Sequence, residues 1–123
     1  MRARTVSSLV GLGAAAALLA AGCGGGSHRS VPGASASHGK QLIEYYGCGA
    51  CHAISNITPH GTVGPSLVGY SSNRQIAGTL PNTTENLIRW IERPQQIAPH
   101  TTMPNLGIGP KGARDIAAYL YAH

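Results

Sequence analysis

Two cysteines and a histidine stand within five consecutive positions, as Cys48, Cys51 and His52 in the pattern C-x-x-C-H. This pattern is the signature of covalent attachment at c-type haem sites. Side chains three positions apart lie on one side of a helical turn, so both thiols can reach the two vinyl groups of a single haem and form thioethers. The adjacent imidazole then lies under the porphyrin plane with a ring nitrogen directed at iron. The motif predicts a chain folded around one covalently bound haem c.

Three other interpretations fit these residues less well. A thioredoxin-like redox pair also uses C-x-x-C but belongs beside a βαβ pattern, which the sequence does not contain. A zinc site built from Cys48, Cys51 and two histidines has the wrong intervals to His52 and His60, and a contiguous ligand would strain the tetrahedron. A disulfide between the two cysteines would close a loop too small to staple the fold. Haem attachment is therefore preferred.

A second motif begins twelve residues after His52, where residues 64–67 read GPSL. With C-x-x-C-H, this segment resembles the class I cytochrome c family, whose loop after the haem motif runs G-P-x-L. The resemblance implies that the carbonyl of Pro65 accepts a hydrogen bond from His52 and that Leu67 packs on the haem. Hydrogen bonding of this kind orients a ligating histidine and raises its basicity.

A methionine supplies the other expected iron ligand. Met103 follows a helix ended by Pro94 and a polar loop, as the distal methionine does in this family. The resemblance implies that its thioether sulfur is the sixth ligand, and His/Met ligation raises the reduction potential of haem iron. His100 stands where family members usually carry a small residue, so His100 and His60 remain as competing ligands.

Three further positions match the family by spacing. Trp90 lies thirteen residues before Met103, where the resemblance implies packing against the haem beside the methionine sulfur. Arg74 and Thr101 match positions whose side chains often bond the haem propionates. The expected cofactor-binding set is Cys48, Cys51, His52, Pro65, Leu67, Arg74, Trp90, Thr101 and Met103, with His52 and Met103 on the metal.

The resemblance covers residues 38–123 and is strongest for one subgroup. The segment GTLPNT at 78–83, together with the later Trp90, Pro94 and Met103-Pro104, is similar to the cytochrome c domain fused to subunit II of some haem–copper oxidases. It implies an electron-carrying domain whose partners are respiratory complexes.

The rest of the domain predicts helices separated by long loops. Apolar residues recur at helical spacing in three stretches bounded by caps and breakers. These are a first helix from a cap at Ser37 to a stop at Gly47, a second from Asn82 or Thr83 to Pro94, and a third after Gly109-Pro110. Tyr46, Tyr119 and Gly39 are expected where the first and last helices cross. The fold class is therefore all-α, with three to five helices and long loops wrapped around the haem.

The amino terminus predicts export and a lipid anchor. A short basic start and an apolar run over 6–21 are typical of a secretory signal. The run ends in LAAGC at 19–23, which resembles a bacterial lipobox and makes Cys23 the expected site of acylation. Ordinary cleavage near Ala21, which would leave Cys23 as a free thiol, is the alternative. The expected domains are a signal peptide at 1–22, an anchored flexible linker at 23–37 and a cytochrome c domain at 38–123.

The net charge and its distribution indicate which class of partner to expect. After removal of residues 1–22 the chain carries seven basic and four acidic residues, a net charge of +3 before the haem propionates. Lysine and arginine form no block, so nucleic-acid binding has little support. The expected partners are redox proteins in the membrane.

The leading hypothesis is a monomeric, membrane-tethered electron carrier in the bacterial cell envelope, outside the cytoplasm. It would shuttle single electrons between respiratory complexes, with a terminal oxidase as one candidate acceptor, and would not be an enzyme. The alternatives are a haem peroxidase or small-molecule-binding haem protein, and an electron-entry subunit of a dehydrogenase complex.

Overall fold

Four α-helices, two 3₁₀ turns and one short antiparallel ribbon make up the computed structural model, which describes residues 29–123. The helices are α1 Ala36–Tyr45, α2 Thr84–Glu92, α3 Pro94–Ile97 and α4 Pro110–Ala122. The 3₁₀ turns span Cys48–Ala50 and Tyr70–Ser72, and the ribbon pairs β1 Gln75–Ile76 with β2 Leu80–Pro81. The all-α class with three to five helices and long loops is thereby confirmed.

The cap of helix α1 lies two residues earlier than predicted. The side chain of Ser35, whose backbone is extended, accepts a hydrogen bond from the His38 N–H, and this satisfies one of the free donors of the first turn. Ser37 lies inside the helix instead. The predicted stop is correct: the chain leaves the helix through Gly47, whose φ of 69° lies in the left-handed region. Glycine adopts this conformation without a steric penalty, which suits it to the end of a helix.

Helix α2 follows its prediction, and α3 was not foreseen. Thr83 caps α2 by accepting a hydrogen bond from the Asn86 N–H. Pro94 ends α2 as expected, but it also opens the single turn α3, because proline suits the first helical position and lacks an N–H to leave unpaired. The ribbon was also missed, since two residues per strand are too few for alternation to show.

Helices α1 and α4 pack against each other at the crossing predicted from Gly39. A Cβ atom on Gly39 would clash with the backbone carbonyl of Asp115, so only glycine permits this approach. The apolar face of α4 is buried as expected, including Ala113, Ile116 and Leu120. This pair of helices forms the scaffold on which the loops are arranged.

The packed body includes residues that the sequence assigned to the linker. Val31 is 6% exposed and belongs to the core. The Arg114 side chain donates a hydrogen bond to the Pro32 carbonyl, and the Ser35 N–H donates to the Asp115 carboxylate at 2.8 Å. Packing therefore starts at least seven residues before His38, because an apolar side chain within the polar stretch joins the core. The expected signal peptide, Cys23 and residues 24–28 lie outside the described residues.

A buried carboxylate joins α1 to α4. Asp115 is 1% exposed and bonds the His38 imidazole at 2.7 Å and the Lys111 ammonium at 2.9 Å. Burial alone would raise its pKa, but the hydrogen bonds from His38, Lys111 and the Ser35 N–H outweigh burial and hold the pKa of Asp115 well below its usual range. The carboxylate is therefore ionised at neutral pH and ties the start of α1 to the middle of α4.

A second buried polar group joins α4 to the ribbon. The Tyr121 hydroxyl donates to the side-chain oxygen of Asn82 at 2.7 Å, and the Asn82 amide donates to the Asn73 carbonyl at 2.9 Å. The Arg29 guanidinium lies over the Tyr121 ring, 5.5 Å from its centroid. This is a cation–π arrangement, in which the face of the ring attracts the positive charge.

Within residues 29–123, no helix combines the length and apolar character needed to cross a membrane.

Candidate haem site

A cavity of about 650 Å³ opens between the helices and the long loops. Its volume lies in the range of small-molecule and cofactor pockets. Eight of the nine predicted cofactor-binding residues line it: Cys48, Cys51, His52, Pro65, Leu67, Trp90, Thr101 and Met103. The fold therefore brings together residues that are up to 55 positions apart in the chain.

The two cysteines occupy a tight turn at one side of the cavity. Cys48 begins the 3₁₀ turn, and its carbonyl accepts hydrogen bonds from the N–H groups of Cys51 and His52. Cys48 and Cys51 do not form a disulfide with each other, and both are half-buried. Burial raises the pKa of the Cys48 thiol, which keeps it protonated at neutral pH. Two thiols that face one cavity are suited to thioether formation with a single group.

The His52 ring is oriented by a backbone carbonyl. Its Nδ1 lies 2.7 Å from the Pro65 oxygen, so the N–H at Nδ1 donates to that carbonyl. This tautomer leaves Nε2 unprotonated, which is the form that binds a metal. A Cβ on Gly64 would lie 2.7 Å from Nδ1 and closer still to Cε1, so glycine at this position allows the loop to pass the ring.

The Met103 backbone is held by two neighbouring side chains. The Gln95 amide donates to the Met103 carbonyl at 2.7 Å, and the Met103 N–H donates to the Thr101 hydroxyl oxygen at 3.2 Å. Trp90 lines the cavity from α2. Sequence reasoning missed the role of Gln95, because nothing in its spacing indicates contact with a residue eight positions later.

Most of the remaining cavity wall is apolar. The buried members of this part are Ile43, Ile54, Tyr70, Leu87, Ile91, Ile108, Ile116 and Leu120, and the exposed Val63 and Leu106 also line it. Sequence reasoning named none of the eight as site residues. Helical periodicity did place Ile43, Leu87, Ile91, Ile116 and Leu120 on apolar helix faces. Burial raises the pKa of Tyr70 to about 12, so its phenol stays neutral.

Arg74 and the two competing histidines lie elsewhere. The described residues that line the cavity do not include Arg74, His60 or His100, and all three are exposed. The Arg74 backbone carbonyl accepts a hydrogen bond from the Asn82 N–H at 2.9 Å. The fold thus assembles eight predicted residues and leaves the ninth outside the cavity wall.

The donor set fits haem better than a bare metal ion. The cavity offers two thiols, one imidazole and one thioether, and among the described residues no Lys, Arg, Asp or Glu lines it. Within residues 29–123, no group of three or more His, Cys, Asp and Glu side chains is placed to hold a metal ion, which disfavours the zinc interpretation. A large apolar wall with one imidazole suits a flat macrocycle that carries its own metal.

These features define a small helical domain that holds haem covalently. The profile of the family "Cytochrome c" matches residues 36–122, which is most of the chain. The chain belongs to the cytochrome c family. It therefore contains covalently bound haem c, and its general function is electron transfer. The family, fold and cofactor predicted from the sequence are confirmed.

The chain is also similar to part of a protein named as an oxidase subunit. The chain is 37% identical over 70 residues to "Cytochrome c oxidase subunit 2" from Alkalihalophilus pseudofirmus. The aligned part covers 56% of this chain and 20% of that protein. The chain thus spans about a fifth of the length of this relative, as expected from the predicted similarity to a domain fused to oxidase subunit II.

Proposed function

We propose that this chain carries single electrons, with the haem attached through Cys48 and Cys51 and ligated by His52 and Met103. The observation that supports the proposal best is the His52–Pro65 hydrogen bond, because it orients the imidazole for ligation beside both thiols. Met103 lines the same cavity. One-electron redox chemistry at iron is what the haem supplies when it is bound.

The residues of the chain would fix the two iron ligands in place and shield the iron from water. His52 is tied to a backbone carbonyl and Met103 to two side chains, so neither ligand needs to move when the oxidation state changes. The buried isoleucines and leucines exclude water from the iron, and a low-polarity surrounding is one of the means by which proteins set haem potential. The Thr101 hydroxyl accepts from the Met103 N–H and retains its own proton, which we propose it donates to a propionate.

The finer biological role rests on the amino terminus and on the relative. We propose that the protein is exported, acylated at Cys23 and held at the outer face of a bacterial membrane as a monomer. A terminal oxidase is the acceptor that we favour, since the relative is an oxidase subunit by name. A lipid anchor holds a protein at the surface without spanning the bilayer.

The axial ligands are tested by the spectrum of ferric protein made with a haem-maturation system. We expect low-spin haem with the near-infrared Met–iron charge-transfer band. Met103→Leu should abolish the band, whereas the matched controls His100→Ala and His60→Ala should retain it. High-spin haem in the unmodified protein, with rapid binding of cyanide or peroxide, would favour the peroxidase or small-molecule-binding alternative instead.

The attachment and the anchor are tested by intact mass. The protein purified from membranes should carry one haem and acyl groups, and Cys23→Ser should release it from the membrane with the haem retained. Colourless protein with unmodified thiols at Cys48 and Cys51 would refute the proposal. Haem-loaded protein without acyl groups would refute the anchor alone, and a stable co-purifying dehydrogenase would favour an electron-entry subunit.

A further inference from the structure

The backbone carbonyl and the backbone N–H of Met103 are each hydrogen-bonded to the side chain of another residue. The amide nitrogen of Gln95 donates to the Met103 carbonyl at 2.7 Å. This separation lies within the range for an N–H donor, and the contact is on the surface of the protein. The Met103 N–H donates to the Thr101 hydroxyl oxygen at 3.2 Å. The peptide groups that carry this methionine are thus held on both sides.

Gln95 belongs to an anchored turn, and Thr101 is hydrogen-bonded to the end of that turn. Gln95 lies in α3, which Pro94 begins as one of the most deeply buried side chains in the described part of the chain. The Ala98 N–H closes α3 by donating to the Pro94 carbonyl, and the Thr101 N–H donates to the Ala98 carbonyl at 3.0 Å. A rigid support therefore reaches the methionine by a continuous series of hydrogen bonds.

The chain beyond the methionine has much less support. Pro104, Asn105 and Leu106 are exposed, and the Gly107 N–H bonds the side chain of Asn105 two residues earlier. Local hydrogen bonds of this kind do not tie a loop to the body of a protein. Among the described residues, the contacts of Gln95 and Thr101 are the hydrogen bonds that hold the Met103 backbone, and the next core residue along the chain is Ile108.

We propose that Gln95 is a positioning residue that keeps the Met103 sulfur on the haem iron. This inference rests on the proposed role of Met103 as a ligand and goes beyond it, because Gln95 does not line the cavity. Loss of the Gln95 contact frees the Met103 carbonyl and lets the loop swing outward. The methionine then competes less well with other ligands for the iron.

Glutamate is the informative substitution at this position. Gln95→Glu keeps the length of the side chain but replaces the amide donor by a carboxylate, which only accepts hydrogen bonds and repels the Met103 carbonyl. Gln96→Glu is the matched control, since it makes the same change of charge in the same helix. The Gln96 side chain lines a separate pocket beside Arg89 and Arg93.

Imidazole added to the ferric holoprotein is the probe of how firmly the methionine holds its place. Loss of one hydrogen bond to the loop should tighten apparent imidazole binding about tenfold in Gln95→Glu. The near-infrared Met–iron band should weaken in the same variant. Gln96→Glu should match the unmodified protein in both measurements. Thr101→Val should act in the same direction as Gln95→Glu, and Thr101→Ser, which keeps the hydroxyl, should restore the original values.

The possible failures are distinguishable. If the unmodified protein lacks the Met–iron band, Met103 is not the ligand and this inference is overturned together with that part of the proposed function. If the band is present but Gln95→Glu and Gln96→Glu bind imidazole equally, the positioning role alone is refuted. A lower urea midpoint for Gln95→Glu with an unchanged imidazole affinity would also refute it, because it would indicate general destabilisation.

Discussion

The histidine wall of the cavity (residues 48–67) and the methionine wall (residues 95–108) are held in place by different kinds of hydrogen bond. On the histidine wall, backbone groups provide the support. The Gly64 N–H donates to the Cys51 carbonyl at 2.8 Å, and the His52 imidazole bonds a backbone carbonyl at 2.7 Å. On the methionine wall, the backbone of the ligand itself is held by two side chains, those of Gln95 and Thr101.

This difference in support determines how easily each of the two ligands is displaced from the iron. Backbone groups cannot be removed by substitution, and the cysteines on either side of the turn would be tied further by thioethers. The Met103 backbone depends instead on Gln95 and Thr101, whose side chains can be changed without altering the chain path. We therefore expect the methionine to be the ligand that exchanges, and the histidine to stay bound.

Adding a methyl group at Gly64, on the histidine wall, should cause the largest loss in the free energy of unfolding. Gly64→Ala would place a Cβ 2.7 Å from Nδ1 of His52, and the ring cannot retreat without losing its bond to Pro65. We expect a loss of about 3 kcal/mol in the free energy of unfolding, measured by urea titration of the holoprotein.

Gly109→Ala is the control for this change. Gly109 has an ordinary φ of −75°, and no heavy atom lies within 4 Å of the place that a Cβ would take. The substitution should therefore cost little. Equal stability of the two variants would show that the histidine wall is softer than its backbone hydrogen bonds indicate.

A scaffold variant should affect both walls together. Asp115→Asn removes the charge of the buried carboxylate that joins α1 to α4. We expect a loss of about 2 kcal/mol at neutral pH, since hydrogen bonds to charged groups are stronger than neutral ones. The exposed pair of Lys40 and Glu44, at 3.9 Å, gives the control Glu44→Gln. That control should cost less than about 0.5 kcal/mol, because exposed ion pairs contribute little.

The same carboxylate predicts how stability depends on pH. The pKa of Asp115 is lower in the folded protein than in the unfolded chain, so the unfolded chain binds the proton more readily. The contribution of Asp115 is present above the unfolded pKa of about 4 and is lost as the pH falls further. Urea midpoints of the unmodified protein and Asp115→Asn should therefore converge in acid, and a constant difference would contradict this account.

The segment before α1 should contribute a smaller amount. Val31→Ala removes two methyl groups from a side chain that is 6% exposed. We expect a loss of about 1.5 kcal/mol, from the apolar area that this side chain buries. Val68, at 56% exposure, provides the control Val68→Ala. If the two variants unfold at the same urea concentration, residues 29–35 do not support the walls and the domain starts near His38 as first expected.

The smallest expected effect is a difference in the rate of amide hydrogen exchange between the two walls. The amide of Gly64 is bonded to a backbone carbonyl, and that of Gly107 is bonded to a side chain in an exposed loop. Hydrogen exchange in the holoprotein should be at least about tenfold slower at Gly64 after correction for sequence. Slower exchange at Gly107 would reverse the order of rigidity proposed for the two walls.

Sequence reasoning succeeded where the signal was local. The C-x-x-C-H spacing indicated the haem, and the caps and prolines placed α2 and α4 closely. It erred on the cap of α1 because Ser35 and Ser37 are equivalent candidates in the sequence, and only the packing of the preceding residues on α4 selects Ser35. The short turn α3 and the ribbon have too few residues to show a period.

By itself the sequence determined the cofactor class, the three longer helices and the residues expected at the iron, since each follows from neighbouring residue types and fixed spacings. Only the tertiary structure decided that Gln95 reaches Met103, that Val31 and Arg29 pack on the domain, and that Arg74 lies outside the cavity wall. These contacts join segments whose relative positions depend on the packing of the whole chain. No local pattern of residues encodes that packing, because many sequences with the same motifs could close their loops differently.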